Sequence, residues 1–210
     1  MNQYYEKYWE KNIAGGVLNF PPEWSEENLA WHLNFFKKYV GENILDVGAG
    51  DGTFLNYLLL KSSNIKKAVA SELSAEAIEK GKEKYKKIIF KQENSEKLGF
   101  ENGTFDTVFA IEVLEHILDI DASLEEVNRV LKSGGYFCIT TTDFNWLKRI
   151  IIAAFFWNKF FYPNNPHIRF FTKRTLTDLG KKHGFDAVDY KWNRSYFGIM
   201  PKGQMIVFKK

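Results

Sequence analysis

A glycine-rich turn after a short apolar run is the feature of this chain best suited to binding a ligand. Residues 43–59 read NILDVGAGDGTFLNYLL, where Gly48, Gly50 and Gly52 fall within five positions after Asp46. Glycine has no Cβ atom, so such positions tolerate positive φ and let the backbone approach a ligand closely. The pattern predicts a ligand-binding loop between a buried strand and a helix.

An acidic residue follows where a nucleotide cofactor would need one. Residues 68–72 read AVASE, a short strand that ends at Glu72, and Ser74 can cap a helix over 75–86. Glu72 lies close to the interval of about 20 residues at which a carboxylate binds ribose hydroxyls. The alternative is a solvated glutamate at a strand end.

The spacing of the loop separates two kinds of cofactor. A dinucleotide fingerprint reads G-x-G-x-x-G/A, but Thr53 stands at its last position here. Two carboxylates, Asp46 and Asp51, also suit a pyrophosphate poorly. A nicotinamide-dependent oxidoreductase is therefore a less favoured alternative.

Four ordered segments resemble motifs of the class I S-adenosylmethionine (SAM)-dependent methyltransferases. They are 46–52 (DVGAGDG), 68–72, 90–100 (FKQENSEKLGF) and 104–117 (TFDTVFAIEVLEHI). The resemblance implies in-line transfer of a methyl group from SAM, with S-adenosylhomocysteine as product. A small-molecule, lipid-like or glycan acceptor and O-methylation are expected, and a non-catalytic SAM-binding protein is the alternative.

The resemblance places the cofactor on the loops that follow the first four strands. Asn94 stands where the family usually has an acid that binds the adenine amino group, and its amide oxygen can still accept a hydrogen bond. Tyr8 is expected to cover the sulfonium, because aromatic faces attract cations. The expected cofactor residues are Asp46, Gly48, Ala49, Gly50, Glu72, Leu73, Asn94, Ser95, Ile111, Glu112 and Tyr8.

The acceptor side of the site is expected near two histidines and an arginine. His116 follows the fourth strand and is the candidate general base, although it could equally be a helix-start residue bonded to backbone. His167 and Arg169 lie in HIRFFT, which resembles the family's H-x-R-x-F-T element before the last helix. They could contact the acceptor or donate to backbone carbonyls.

Substrate selection is expected in the segment 144–171, which contains ten aromatic residues and no acid. Its apolar run is far shorter than the roughly 20 residues of a membrane-spanning helix. It suits an acceptor lid that includes Trp157, or a peripheral membrane contact through 146–162. Packing at the sheet edge or in a homodimer is the alternative.

Alternating helix and strand patterns predict an α/β fold, a doubly wound, Rossmann-like and mostly parallel seven-stranded sheet with a C-terminal antiparallel hairpin and an aromatic lid-like insertion. The expected strands are 43–47, 67–72, 88–91, 106–111, 136–142, 185–192 and 204–209. A helix over 123–132 is expected to begin at a Ser123/Glu126 capping box. One domain over 1–210 is expected, with a helical cap at 1–40 and the insertion at 144–171.

Composition excludes several other classes. The chain has 210 residues and a net charge of +3, and its basic residues are dispersed, so no nucleic-acid partner is expected. The four histidines are far apart in sequence, which predicts no metal site. A single cysteine, Cys138, and an N-terminus without a signal-peptide pattern predict a cytoplasmic location.

Overall fold

A computed structural model describes residues 25–162, 165–196 and 200–210, and its strands form one sheet. The strands are β1 (Asn43–Val47), β2 (Lys67–Glu72), β3 (Ile89–Gln92), β4 (Phe105–Ile111), β5 (Leu131–Thr142), β6 (Asp186–Tyr196) and β7 (Met200–Lys209). The α-helices are α1 (Glu26–Phe36), α2 (Thr53–Lys61), α3 (Ala75–Lys84), α4 (Ile120–Val130), α5 (Trp146–Ile151), α6 (Trp157–Phe160) and α7 (Lys173–Lys182).

The sheet order is β3-β2-β1-β4-β5-β7-β6. The first five strands are parallel, and β7 pairs antiparallel with both β5 and β6. This confirms the predicted doubly wound sheet with its C-terminal hairpin. The strand order reverses between β1 and β4, and such a switch point opens a crevice at the carboxyl ends of the strands.

Both faces of the sheet are covered by helices, which explains the nearly continuous apolar strands. On one face, Phe36 of α1 and residues such as Phe54 and Leu55 of α2 belong to the cluster that contains Ile44 of β1. On the other face, Leu124 and Val127 of α4 and Leu176 of α7 belong to the cluster that contains Leu45 and Val47. The strands are thereby held in register beneath the crevice.

The prediction for α4 was wrong at its start. Asp119 is the N-cap, and its carboxylate accepts from the Ala122 N–H at 3.0 Å. Glu126 instead accepts from the Leu98 N–H at 2.7 Å and binds Arg129. The Glu126 side chain, which the local pattern assigned to a capping box, therefore makes a long-range contact instead.

Other element boundaries also differ from the expected ones, by up to five residues at the start of β5. Helix α3 ends at Lys84, not at residue 86, and β5 begins at Leu131, directly after α4. The register of β4 and β5 shifts between Phe105 and Thr107, which accommodates the glycines that precede Tyr136 in β5. The single domain over 1–210 and its cap at 1–40 stay predictions, because residues 1–24 lie outside the described part.

The insertion 144–171 consists of α5, a π-helical turn (Ile152–Phe156), α6 and a connection to α7. Within the described residues, no helix is long and apolar enough to cross a membrane. Only part of the insertion is core. Phe144 and Ile152 are buried, whereas Phe155 is 79% exposed.

Two substitutions distinguish the observed cap of α4 from the predicted one. We expect Asp119→Ala to lower the free energy of unfolding by about 1 kcal/mol, because the Ala122 N–H loses its acceptor. Ser123→Ala should change it by less than about 0.5 kcal/mol, since alanine favours a helix interior. Urea unfolding of both variants measures the difference, and a larger loss for Ser123→Ala would contradict the observed cap.

Candidate active site

The glycine loop after β1 is fastened to the end of β2 by backbone hydrogen bonds. The N–H groups of Gly48 and Ala49 both donate to the Ser71 carbonyl, at 2.8 and 3.1 Å. Gly48 and Gly50 have φ values of 68° and 55°, in the left-handed region that favours glycine. The loop therefore has one defined path across the crevice.

Packing within the protein explains part of the glycine pattern. A Cβ atom on Gly48 would lie 2.7 Å from Val113 in the loop after β4, and one on Gly52 would lie 2.8 Å from Phe90. Ligand contact at Gly48 and Gly50 stays a prediction, and the lack of a Cβ atom at Gly48 and Gly52 also serves packing within the protein. Gly48 lets the loops after β1 and β4 meet at the switch point.

Glu72 holds the loop from the neighbouring strand. One carboxylate oxygen accepts from the Gly50 N–H at 2.9 Å, and the other accepts from the N–H groups of Leu73 and Ser74 at 2.8 and 2.9 Å. A carboxylate offers about four lone-pair positions. Glu72 can thus orient the loop and still accept from a ligand hydroxyl.

Asp46 is a buried acceptor at the carboxyl end of β1. Its side chain is 2% exposed, and its Oδ1 has no hydrogen-bond partner among the described residues. Burial, and then the charge of Glu72, raises the pKa of Asp46 well above its ordinary value. A buried carboxylate oxygen without a donor fits a site for a ligand ammonium or hydroxyl group.

Asp51, by contrast, is directed toward α3. Its carboxylate accepts from the Thr53 hydroxyl at 2.6 Å and pairs with Lys84 at 2.8 Å. Of the two acids that flank the glycines, Asp46 is therefore the one with an oxygen available to a ligand.

Glu112 begins the loop after β4 in an unusual conformation. Its φ is 55°, the one positive value recorded for a non-glycine residue in the described ranges, and its N–H donates to the Thr140 carbonyl at 3.0 Å. Such backbone strain, of about 1–3 kcal/mol, clusters at functional sites. Burial and then Glu115 raise the pKa of Glu112, which follows the buried Ile111 at the switch point.

Asn94 and Ser95 lie at the same edge of the sheet, just after β3. The Asn94 side chain is exposed, and its Oδ1 accepts from the Glu96 N–H at 3.0 Å. That contact turns the chain and leaves a second lone pair on the amide oxygen. Tyr8, the expected cover of the cofactor, lies outside the described residues.

The fold brings His116 and His167 together, although they are far apart in sequence. Their ring centroids are 4.8 Å apart, and His116 Nδ1 lies 3.1 Å from the Pro166 carbonyl. The Glu115 carbonyl accepts from the N–H groups of Ile168 and Arg169 at 3.0 and 3.2 Å. Burial, and then the charges of His116 and Lys148, lowers the pKa of His167 to about 4.

The other two expected acceptor residues differ in position. Arg169 Nη2 donates to the Leu118 carbonyl at 2.6 Å, while its Nη1 is buried without a hydrogen-bond partner among the described residues. Arg169 therefore retains a donor for a ligand. Trp157 is 56% exposed, and its ring lies tilted against that of Phe161 with the centroids 4.4 Å apart, so it belongs to the surface of the insertion.

Lys148 is a site residue that sequence reasoning missed. It is 6% exposed, and its Nζ donates to the carbonyls of Asp143 and Lys202, both at 2.9 Å. Burial lowers its pKa to about 8, against the opposing charges of Asp143 and Glu112. A lysine within an apolar helical run, WLKRII, was the available signal.

Comparison with known families decides the class of protein. A family model described as a methyltransferase domain matches residues 19–190, most of the chain. The chain belongs to this methyltransferase family. This finding favours methyl transfer over the nicotinamide-dependent reaction that the glycine loop alone had left open.

Curated relatives share part of their length with this methyltransferase. A demethylmenaquinone methyltransferase of Bacteroides fragilis is 25% identical over 83% of this chain and 67% of its own. A ubiquinone biosynthesis O-methyltransferase of Chelativorans sp. is 31% identical over 66% of this chain and 58% of its own. A hybrid PKS-NRPS synthetase of Macrophomina phaseolina is 29% identical, but the match spans 3% of that protein.

Solved structures share the fold over nearly the whole chain. A Haloferax volcanii protein solved with the Trm112 methyltransferase activator has a TM-score of 0.72 at 14% identity, covering 98% of this chain and 96% of its own. A SAM-dependent methyltransferase of Thermotoga maritima has a TM-score of 0.66 at 21% identity, covering 99% and 95%. These likenesses support the fold.

The protein is a SAM-dependent methyltransferase, and the crevice suits that cofactor. SAM carries an ammonium group and ribose hydroxyls, which are donors for the acceptors of Asp46 and Glu72. SAM has no pyrophosphate, so the carboxylates beside the loop would not repel it. The assignment of individual cofactor residues stays a prediction.

Asp46→Asn should make the ligand-free protein more stable and weaken SAM binding. Because the pKa of Asp46 is raised in the folded state, the folded protein keeps this proton at pH values where the unfolded chain has lost it. Asp46 therefore lowers the free energy of unfolding as the pH rises. The Tm of Asp46→Asn should exceed that of the wild type at pH 7, and the difference should shrink toward pH 4.

Thermal unfolding with and without SAM measures both effects. Asp51→Asn is the matched control, because its loss of the Lys84 pair should lower Tm at pH 7 and leave the gain from SAM unchanged. An undiminished gain from SAM in Asp46→Asn would contradict the cofactor role of Asp46.

Proposed function

We propose that the protein transfers the methyl group of SAM to an oxygen of a small apolar or lipid-like acceptor, with a quinol as the first candidate. The observation that carries the proposal is the join between the aromatic insertion and the carboxyl end of β4. The N–H groups of Ile168 and Arg169 bind the Glu115 carbonyl, so the end of the insertion lies against the loop that bears Glu112 and His116. Two curated relatives named as quinone-pathway methyltransferases support this acceptor class.

The polar groups at this join would orient the acceptor. Arg169 keeps a buried guanidinium donor, Nη1, which suits an acceptor oxygen or an anionic substituent. His167 is neutral at pH 7, because its pKa is lowered to about 4. In this proposal, the Arg169 guanidinium and the imidazole rings of His116 and His167 face the acceptor.

SAM supplies a methyl group that is already activated, so the protein mainly has to align the acceptor and exclude water. An acceptor hydroxyl must also lose its proton. A carbonyl can only accept, so the contact with Pro166 places a proton on His116 Nδ1 and the lone pair on Nε2. That lone pair can take a proton or bind a cation, and His116 is therefore our candidate for handling the acceptor's proton.

The surface of the insertion favours a lipid-like acceptor delivered from a membrane surface. Large apolar side chains are exposed there: Trp146 66%, Ile150 58%, Phe155 79%, Trp157 56%, Phe161 41% and Tyr162 61%. The neighbouring Arg149 is also exposed and suits anionic headgroups. Exposed aromatic side chains next to a basic residue are typical of segments that bind at a membrane surface.

Turnover across an acceptor panel tests the proposed function. We expect release of S-adenosylhomocysteine with a quinol or phenol acceptor, and little with amine or glycan acceptors. Arg169→Lys, which keeps the charge but loses the planar fork, should raise the acceptor KM more than about tenfold and leave the SAM Kd unchanged. SAM binding without turnover on any acceptor would instead support a non-catalytic SAM-binding protein.

Flotation with vesicles tests the membrane contact. Phe155→Ser/Trp157→Ser should lower binding to vesicles that contain an anionic lipid, because burying these side chains is worth about 25 cal/mol per Å². Leu60→Ser on α2 is the matched control, since Leu60 is 72% exposed outside the insertion. Unchanged flotation together with a loss of dimers in sedimentation would assign the surface to a second copy of the chain.

A further inference from the structure

We propose that Glu115, His116 and His167 bind one divalent transition-metal ion at the acceptor side of the crevice. Each of the three side chains offers a ligand atom, and these atoms all lie within 4.8 Å of one another. Glu115 is 1% exposed, and both histidines are half-buried. Two imidazoles and a carboxylate form a ligand set that suits zinc, cobalt or iron.

The backbone holds the three ligands together. Glu115 and His116 are consecutive in the short 3₁₀ turn Leu114–His116. His167 is brought to that turn by two bonds from the N–H groups of Ile168 and Arg169 to the Glu115 carbonyl. A third contact, from His116 to the Pro166 carbonyl, fixes the same connection on its other side.

Outer-shell contacts of the kind that orient metal ligands are present on two of the three residues. Metal-binding histidines usually donate their other ring N–H to a carbonyl or carboxylate, and ligating carboxylates are themselves hydrogen-bonded. His116 Nδ1 meets the Pro166 carbonyl at 3.1 Å, which puts the ring's lone pair on Nε2. Glu115 Oε2 accepts from the Thr141 hydroxyl at 3.0 Å.

The distances require a modest closure on binding. Ligand atoms in a tetrahedral zinc site with bonds of about 2.1 Å are about 3.4 Å apart. Three atoms within 4.8 Å therefore reach that geometry by small side-chain rotations.

The local charges favour a cation on balance. Glu112 faces Glu115, and a divalent ion would offset their repulsion. The positive charge of Lys148 interacts with Glu112 and His167 and would repel a cation. Its Nζ, however, is directed to the carbonyls of Asp143 and Lys202.

Three protein ligands leave a coordination position for another group, which is the arrangement of catalytic zinc sites. An acceptor oxygen in that position would lose its proton more readily, because a bound metal lowers the pKa of the oxygen that it binds. With Nε2 on the ion, His116 would favour loss of the acceptor's proton through the metal and would not accept it, and the proton would pass to solvent water. This role rests on the proposed function, whereas metal binding itself does not.

Titration of the tag-free protein with Co²⁺ and with Zn²⁺ tests the site. We expect one equivalent of Co²⁺ with the visible absorption of a four-coordinate ion, displaced by Zn²⁺. Glu115→Gln, His116→Gln and His167→Gln should each weaken Co²⁺ binding at least tenfold. Loss of an outer-shell partner already costs about 10- to 100-fold in metal affinity, and loss of a ligand should cost no less. His183→Gln is the matched control, because His183 forms a histidine–carboxylate pair with Asp121 at 2.7 Å and is not one of the proposed ligands.

A second variant keeps every ligand and guards against unfolding. Thr141→Val removes the donor to Glu115 and should weaken Co²⁺ binding by about 10- to 100-fold while circular dichroism stays unchanged. Binding that survives all three ligand variants, or that is lost equally in His183→Gln, would overturn the site, as would no Co²⁺ or Zn²⁺ binding to the wild type.

Chelation distinguishes the site from the function. If both proposals hold, a chelator should stop turnover and leave the SAM Kd unchanged, and Zn²⁺ should restore turnover. Metal binding by a protein without turnover would leave the site standing and overturn the acceptor proposal. Turnover that persists after complete removal of metal would overturn the catalytic role of the ion.

Discussion

The cofactor crevice depends on the hydrogen bonds that the Glu72 carboxylate accepts. This carboxylate accepts from the backbone N–H groups of Gly50, Leu73 and Ser74 and so joins the loop after β1 to the turn after β2. Hydrogen bonds to a charged acceptor contribute about 1.5–3 kcal/mol each, more than neutral ones. One side chain thereby fixes the shape of a loop whose glycines would otherwise cost conformational entropy. The ribose-binding role expected for Glu72 is an addition to this structural role.

Charge is concentrated at the carboxyl end of the parallel strands. Asp46 and Glu72 lie on one side of the switch point, and Glu112, Glu115 and Lys148 on the other. Burial of charged groups opposes folding unless they are paired or neutralised, and here it raises the pKa of Asp46 and Glu112 and lowers that of Lys148. The protein therefore keeps groups in its crevice that lower the stability of the empty site. Ligands with complementary charge would recover that cost on binding.

Sequence reasoning predicted the parts of the fold that local patterns determine. The bounds of β1 and β2 were confirmed to the residue, because both are short apolar strands buried on both faces. The N-cap of α7, Thr172, is local in the same way, since its partner Thr175 lies within the same helix turn. The cap of α4 was wrong because Glu126 is engaged by Leu98, a contact that no local pattern contains. Val113 and Phe90, which a Cβ atom on Gly48 and on Gly52 would meet, are also distant from these glycines in sequence.

The pairing of His116 with His167 shows why the site itself could be predicted only in part. Each histidine was identified from a short motif, but the expectation of no metal site rested on their separation along the chain. A parallel sheet gathers the ends of all its strands at one edge, so sequence separation says little about distance there. The insertion after β5 folds back so that Ile168 and Arg169 bind the Glu115 carbonyl, and this return path places His167 beside His116. The same bonds tie the exposed aromatic surface to the loop after β4. If that surface moved on binding a lipid-like acceptor, these bonds would transmit the movement to the loop that carries Glu112 and His116.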